Sequence, residues 1–193
     1  EIYTLSLHDA LPIFDSIGEW SQTYKIKTLF DSLILNESNK WKEFSEKIYE
    51  WWENKKMNLL FRGSKDGMTS KAFHDKWDIQ GPTLSLFRNE KGHIFGGYAS
   101  ISWTNNGENK NAQESFLFSL TNIDNMHPTK FPSKNEGKEV YHGNFGPVFG
   151  ECGEDLCTYS DLSKGVYSNF PKSFDDVLRK GKSIFTGSEN NDK

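Results

Sequence analysis

The feature that most constrains the fold of this chain is a pair of apolar segments, residues 83–88 and 93–103, joined by the polar tetrapeptide Asn-Glu-Lys-Gly. A connection of about four residues that contains glycine is typical of a β-hairpin. Because alternate residues of a strand share a face, the second segment presents one face made of Phe95, Gly97, Ala99, Ile101 and Trp103. The pair Gly96-Gly97 inside this strand predicts either a β-bulge or the close approach of another backbone.

Other apolar runs of strand length predict further strands. They lie at residues 58–62, 115–121, 140–141, 156–159 and 183–186. The run at residues 30–35 fits a strand or the lead-in to one.

Two helices are predicted among these strands. Apolar residues recur at helical spacing from Trp41 to about Asn54, with charged residues on the other face. This spacing favours core packing over a partner surface for the tryptophans. A shorter helix is predicted from Thr69 to Lys76, with Thr69 or Ser70 as its cap. Many antiparallel strands with two helices predict an α+β fold, a two-sheet antiparallel β-sandwich with flanking helices.

The chain is long enough for one domain with a substantial core. It has 193 residues, and 15% of them are aromatic, which argues against a disordered chain. We expect the following side chains to be mostly buried: Trp41, Phe44, Leu60, Phe73, Leu84, Phe95, Phe116 and Phe118.

The first residues need separate treatment. Residues 1–13 (EIYTLSLHDALPI) begin without Met and resemble a translated sequencing adapter, so we expect a non-native leader that makes few contacts. Residues 14–29 fit a linker or partial element, residues 30–187 the domain, and residues 188–193 a polar end.

Charge and cysteine content exclude several classes of function. The formal net charge is −4, which disfavours a general binder of nucleic-acid phosphates. No apolar run reaches the roughly 18 residues of a membrane span. The 2 cysteines are too few for a disulfide scaffold and indicate a reducing compartment. We therefore expect an intracellular, cytoplasmic protein that neither enters a membrane nor binds nucleic acid.

No motif in the chain predicts a metal site or a catalytic site. His142, Cys152 and Cys157 have no second cysteine pair and match no common zinc spacing. No G-x-S-x-G elbow occurs around Ser64 or elsewhere, and no Lys-Ser or Lys-Thr follows the glycines of residues 146–153. We therefore expect no metal, no cofactor and no enzymatic activity.

Several sequence blocks, taken in order, resemble a known family. They are NLLFRGSKDG at 58–67, AFHDK at 72–76, GPTL at 81–84, IFGGY at 94–98, SFLFSL at 115–120, and GPVFG at 146–150 with Asp155-Leu156. Together they are similar to the TLDc domain over about residues 30–187. Two departures occur: Trp77 stands where the family often has Cys, and Cys152 falls in a stretch that is usually rich in glycine.

The resemblance implies a two-sheet sandwich and a protein of the oxidation-resistance type. Several family members bind the vacuolar proton-pumping ATPase, so its subunits are the implied partners of a non-enzymatic interaction module. No catalytic residues come with the family. The motif residues are expected to be structural, and they are Arg62, Asp66, Gly67, Phe73, His74, Gly96, Gly97, Gly146, Pro147, Gly150 and Asp155.

Two other functions stay open at the level of sequence. One is a thiol-based redox enzyme or peroxide scavenger that uses Cys152 or Cys157, and the other is a metal-dependent hydrolase. We also expect Arg62, Asp66 and His74 to form one polar network that braces the glycine-rich turn. The resemblance further implies a terminal strand beyond residue 187, so the domain is expected to be truncated at that end.

Overall fold

A computed structural model describes residues 2–8, 32–36, 39–51 and 56–187. Within these ranges, the strands form two antiparallel sheets, accompanied by short helices. The α+β sandwich predicted from the sequence is confirmed. The expected linker at residues 14–29 and the polar end at residues 188–193 lie outside the described residues.

The first sheet has six strands in the order β2-β1-β3-β4-β6-β7. Their bounds are β1 Ile2–His8, β2 Lys56–Arg62, β3 Thr83–Arg88, β4 Ile94–Ala99, β6 Phe116–Ser119 and β7 Thr129–Pro132.

The second sheet has five strands in the order β11-β10-β9-β8-β5. Their bounds are β5 Glu108–Lys110, β8 Val140–His142, β9 Val148–Phe149, β10 Leu156–Thr158 and β11 Val166–Tyr167.

The hairpin predicted from the alternating pattern is confirmed as β3 and β4. Its ladder runs without a register shift from Thr83 opposite Ala99 to Arg88 opposite Ile94. In the connection, the backbone N–H of His93 donates to Asn89 Oδ1 at 3.0 Å.

In the described ranges, five short α-helices accompany the sheets. They are α1 Leu33–Asn36, α2 Trp41–Trp51, α3 Gly63–Asp66, α4 Ser70–Trp77 and α5 Ser183–Thr186. Helices α2 and α4 confirm the two helical predictions. Thr69 caps α4 as expected, since its hydroxyl accepts the backbone N–H of Ala72 at 3.2 Å.

The first sheet is buried on both faces. One face meets the second sheet in a cluster that includes Phe95, Leu117 and Phe149. The other face carries Leu84 and Phe118, which pack with residues of α1 and α2. This double burial explains why β3 and β6 each carry apolar side chains on both faces of the sheet.

Six of the eight expected core side chains are fully buried, and they are Phe44, Phe73, Leu84, Phe95, Phe116 and Phe118. Leu60 is half-buried against the cluster between the sheets. The side chain of Trp41 lies outside the described residues.

The expectation that residues 1–13 make few contacts is wrong for residues 2–8. These residues form β1, which pairs with β2 on one side and with β3 on the other. Ile2 is 3% exposed and belongs to the cluster between the sheets. Backbone pairing satisfies N–H and C=O groups with little regard to side chains, so a segment of uncharged, apolar-rich residues fits there. The foreign origin of the segment stays a prediction.

The strand expected at residues 183–186 is also wrong, because these residues form helix α5. The backbone N–H of Gly187 donates to the Ser183 carbonyl at 2.8 Å, and Gly187 has φ +73°. Phe185 packs against Phe131 and Phe170, with ring centroids 5.4 and 5.1 Å away. A short apolar run is compatible with either structure, and the packing of Phe185 decides between them.

We predict that Phe118→Ala destabilises the domain by about 3–5 kcal/mol, the range for emptying a buried phenylalanine site. Phe118 is fully buried, and its ring centroid lies 5.9 Å from that of Trp51. Urea unfolding measures the loss. Ile123→Ala is the control: Ile123 is 52% exposed, so a change within about 0.5 kcal/mol is expected. A loss below about 1 kcal/mol for Phe118→Ala contradicts the central position of β6.

Candidate functional site

His74 joins helix α4 to the glycine-rich loop of residues 143–147. Its Nδ1 lies 2.9 Å from Asp78 Oδ1, and its Nε2 lies 3.0 Å from the Gly143 carbonyl and 2.7 Å from the Phe145 carbonyl. All three partners are oxygen acceptors, so a ring nitrogen that carries a proton donates to its partner there. The side chain is only 12% exposed. His74 therefore links helix α4 to this loop.

Two exposed apolar side chains border this junction. Phe145 is 39% exposed, and Ile79, which follows Asp78, is 81% exposed. Ile79 has φ +70°, a conformation that is a true outlier for a β-branched residue. Its backbone N–H donates to the Trp103 carbonyl at 3.1 Å. We call His74, Asp78, Ile79 and Phe145 the His74 surface. Backbone strain that holds a large apolar side chain in solvent points to a binding role.

Asp66 braces the turn after β2, apart from His74. Its Oδ2 accepts the backbone N–H of Arg62 at 2.8 Å, and its Oδ1 accepts from Lys76 Nζ at 2.6 Å. Burial acts to raise the pKa of Asp66, but these hydrogen bonds outweigh it and the pKa is lowered. Gly67 follows with φ +104°, where glycine is favoured. Of the network expected for Arg62, Asp66 and His74, the bond between Asp66 and the Arg62 backbone is observed, and the bonds described above join His74 to Asp78, Gly143 and Phe145.

Gly96 and Gly97 permit close packing on both faces of β4. A Cβ atom at Gly96 would lie 1.9 Å from the Ser85 carbonyl oxygen, and one at Gly97 would lie 2.6 Å from the Phe149 ring. No register shift interrupts the β3–β4 ladder. Of the two sequence interpretations, close approach is therefore the one observed.

The GPVFG block forms a tight connection into the second sheet. A Cβ atom at Gly146 would lie 2.6 Å from Thr158 Oγ1, and the Pro147 carbonyl accepts the Thr158 N–H at 3.4 Å. A Cβ atom at Gly150 would lie 2.1 Å from Asp155 Oδ2. These glycines therefore sit where neighbouring side chains leave no room for a Cβ atom.

Asp155 is a fully buried carboxylate that fixes a distant loop. Its two oxygens accept the backbone N–H groups of Lys172 at 2.6 Å and Ser173 at 2.7 Å. Burial raises the pKa of Asp155, and these hydrogen bonds oppose the rise. The carboxylate is thus committed to the fold.

Glu139 also fixes the fold through buried hydrogen bonds, and no sequence motif indicates this role. This fully buried side chain accepts the Ala112 N–H at 2.9 Å, the Ser133 hydroxyl at 2.8 Å and the Gly137 N–H at 3.0 Å. Burial acts to raise its pKa, but these bonds prevail and lower it. In the sequence, Glu139 cannot be distinguished from a surface glutamate, because only the fold brings its three donors to it.

Phe73 and Trp77 are structural residues of the cluster between the sheets. Their ring centroids lie 4.2 Å apart, and Phe73 also meets Phe61 at 5.7 Å. Both are fully buried. At the position where the family often has Cys, this chain therefore carries an indole in its core.

The two thiols occupy different environments. Cys157 is buried, and burial raises its pKa to about 11, which opposes thiolate chemistry. Cys152 is exposed and has φ +50°. Among the described residues, no group of His, Cys, Asp and Glu is arranged to hold a metal ion. The side chain of His142 lies outside those residues. None of the helices in the described ranges has the length and apolarity to cross a bilayer.

A family model described as TLD, the TLDc domain, matches residues 29–191. No curated protein matches the chain. The matched range contains every motif residue discussed above.

We predict that Glu139→Gln lowers stability by about 1–3 kcal/mol at pH 7, because an amide N–H₂ group would face a donor that the carboxylate oxygen now accepts. The folded-state pKa of Glu139 is lowered, so its contribution is present above the ordinary value of about 4.3 and is lost as pH falls through the folded-state pKa. The deficit of the variant should therefore shrink in acid. Urea unfolding at several pH values tests this, with exposed Glu136→Gln as control. A deficit independent of pH contradicts the prediction.

We also predict that His74→Ala loosens the loop of residues 143–147, because the Gly143 and Phe145 carbonyls and Asp78 lose their contacts with the ring. Hydrogen exchange should increase in that loop, and stability should fall by about 1–3 kcal/mol. Asp75→Ala on the same helix is the control, since it removes only the exposed ion pair with Lys71. Unchanged exchange in the loop would show that His74 does not hold it.

Proposed function

The chain belongs to the TLDc domain family, and from this membership we propose that it is a non-enzymatic protein-interaction module of the oxidation-resistance type that binds its partner through the His74 surface. The observation that carries the proposal is Ile79, which holds an exposed apolar side chain on a strained backbone. Strain of this kind costs of order 1–3 kcal/mol and persists where surrounding contacts fix it.

The His74 surface has the composition of a binding site. Large apolar side chains surrounded by polar groups mark protein–protein contacts. Here Ile79 and Phe145 provide the apolar area, while Asp78 is part-exposed beside them. Because His74 bonds to both Asp78 and the Phe145 backbone, it fixes the two halves of the surface relative to each other. A surface fixed before binding loses less conformational entropy on association.

The hydrogen bonds of the two buried carboxylates, Glu139 and Asp155, favour a binding function over a catalytic one. A general acid or base needs a polar atom within reach of a substrate. Glu139 and Asp155 are fully buried, and each directs its oxygens at donors of the fold. Their altered pKa values follow from these structural contacts, so they are poor indications of a catalytic site.

The proposed partner is the vacuolar proton-pumping ATPase, as the family resemblance implies. The test is affinity capture from the source cell with wild-type protein and with Ile79→Asp combined with Phe145→Asp, followed by immunoblotting for pump subunits. If these residues anchor the contact at about 2 kcal/mol or more, recovery should fall by about thirty-fold. The matched control is Ile123→Asp combined with Val177→Asp, since both are about half exposed, at 52% and 53%, and lie outside the His74 surface.

The outcomes separate the parts of the proposal. Retained recovery by the control and loss by the double variant support the His74 surface, provided that both unfold at the wild-type temperature. Equal recovery by both variants rules out this surface as the contact. Absence of pump subunits from the wild-type capture rules out the ATPase as partner.

A thiol-based function, the alternative, is confined to Cys152. The raised pKa of Cys157, about 11, and its burial leave very little thiolate at neutral pH. Cys152 is the accessible thiol of the described ranges, with Asn109 Oδ1 accepting its backbone N–H at 2.9 Å. Exposure alone favours Cys152 over Cys157, and it supports a redox role less strongly than Ile79 supports binding.

A further inference from the structure

The end of the sandwich beside the β3–β4 turn contains a cavity of about 300 Å³. The turn and the first residues of β1 and β4 form one side of it, and residues 162–166, which lead into β11, form the other. Protein interiors contain few voids larger than a water molecule, and ligand sites begin at about this volume. We propose that the cavity binds a fatty acid, a monocarboxylate with an unbranched apolar chain of medium length.

Apolar side chains make up the interior of this cavity, which we call the hairpin cavity. They come from opposite sides of it and are Ile2, Met68, Phe87, Phe95, Leu162 and Val166. The ring centroids of Phe87 and Phe95 lie 5.7 Å apart. Gly165 borders open space, since a Cβ atom built there would meet nothing but its chain neighbours within 4 Å. An alkyl chain in the hairpin cavity would therefore bury its methylene groups against apolar surface and leave water.

The volume of the hairpin cavity sets the length of the chain. A water molecule takes about 30 Å³ of the liquid, so the cavity holds roughly ten groups of that size. Because a methylene group is close to a water molecule in size, a carboxylate of about eight to ten carbons fills this space. A diacyl lipid is much larger, so the occupant is a free fatty acid.

Positive charge at the mouth of the hairpin cavity favours a carboxylate. The mouth lies where Glu90, Ser163 and Lys164 are exposed, and Arg88 lines it as well. Against the two cations, Glu90 is the one acid among the described lining residues. The carboxylate of the ligand would thus lie at the mouth in solvent, while its chain enters the apolar interior.

Lys164 is the cation that the ligand carboxylate would meet. The acid closest to it in sequence, Asp161, directs Oδ1 at its own loop, where it accepts the Ser163 N–H at 3.1 Å and the Ser163 hydroxyl at 2.6 Å. Among the ion pairs of the described residues, none includes Lys164. Its ammonium group is therefore available to a ligand.

The test is equilibrium dialysis of the full chain with radiolabelled decanoate, kept below the concentration at which it forms micelles. We expect saturable binding of one decanoate per chain. Unlabelled carboxylates then compete, and affinity should rise about fourfold for each methylene buried, from butanoate to octanoate. The rise should end near decanoate, because the hairpin cavity is then full.

Two variants locate the ligand, each with a matched control. Val166→Phe fills the hairpin cavity and should weaken decanoate binding about tenfold or more, whereas Val177→Phe makes the same change at a 53% exposed position outside it. Lys164→Glu should weaken binding about threefold to fivefold, the range for an exposed ion pair, and Lys164→Arg should retain the affinity. Lys42→Glu makes the same charge change on α2, outside the hairpin cavity, and should have no effect.

Thermal unfolding of each variant is measured first, since Val166 is half-buried. If Val166→Phe does not fold, Lys164→Glu and the chain-length series decide, because Lys164 is exposed and the series uses the wild-type chain. Absence of saturable binding at millimolar decanoate overturns the proposal, as does unchanged affinity in a folded Val166→Phe. Affinity that keeps rising from decanoate to palmitate, or equal affinity in Lys164→Glu and Lys42→Glu, also overturns it. None of these measurements involves the His74 surface, so the two proposals can fail independently.

Discussion

The close approach of neighbouring groups to β4 at Gly96 and Gly97 is the constraint on which the rest of the structure depends. No Cβ fits at either position: the Ser85 carbonyl and the Phe118 ring occupy the space at Gly96, and the Phe149 ring occupies it at Gly97. Phe149 lies in the second sheet, so Gly97 sets how closely that sheet approaches the first. Ser85 and Phe118 belong to β3 and β6, so Gly96 sets how closely the neighbouring strands of the first sheet pack against β4.

Polar groups inside the sandwich fasten the loops that this packing leaves irregular. Glu139 ties together the backbone of Ala112 and Gly137, while Asp155 ties the backbone of Lys172 and Ser173 to the second sheet. Each oxygen accepts donors that would otherwise be buried without a partner, which costs more than the bond itself contributes. The interior thus uses its charged groups for structure, whereas the His74 surface holds apolar groups in solvent. This division is what an interaction module requires.

In the first sheet, some strands are held mainly by backbone pairing, and others are restricted mainly by side-chain packing. Strand β1 is joined to β2 and β3 by backbone hydrogen bonds that most residues can supply, and Ile2 also packs in the cluster between the sheets. By contrast, β4 tolerates almost no change at its glycines. A sheet can therefore combine a strictly specified strand with a more permissive one.

The sequence by itself determined the β3–β4 hairpin, the helices α2 and α4 with the Thr69 cap, most of the core and the family. Each of these depends on local periodicity or on a short ordered motif, which can be read without knowing what packs nearby. Only the tertiary structure decided that residues 2–8 form a strand, that residues 183–186 form a helix, that Glu139 is buried and that Ile79 is held exposed. In each case the deciding partner is distant in sequence: β2 and β3 for β1, Phe131 for Phe185, Ala112 for Glu139 and Trp103 for Ile79. Such contacts form only when the chain has folded, so they cannot be predicted from the local sequence pattern.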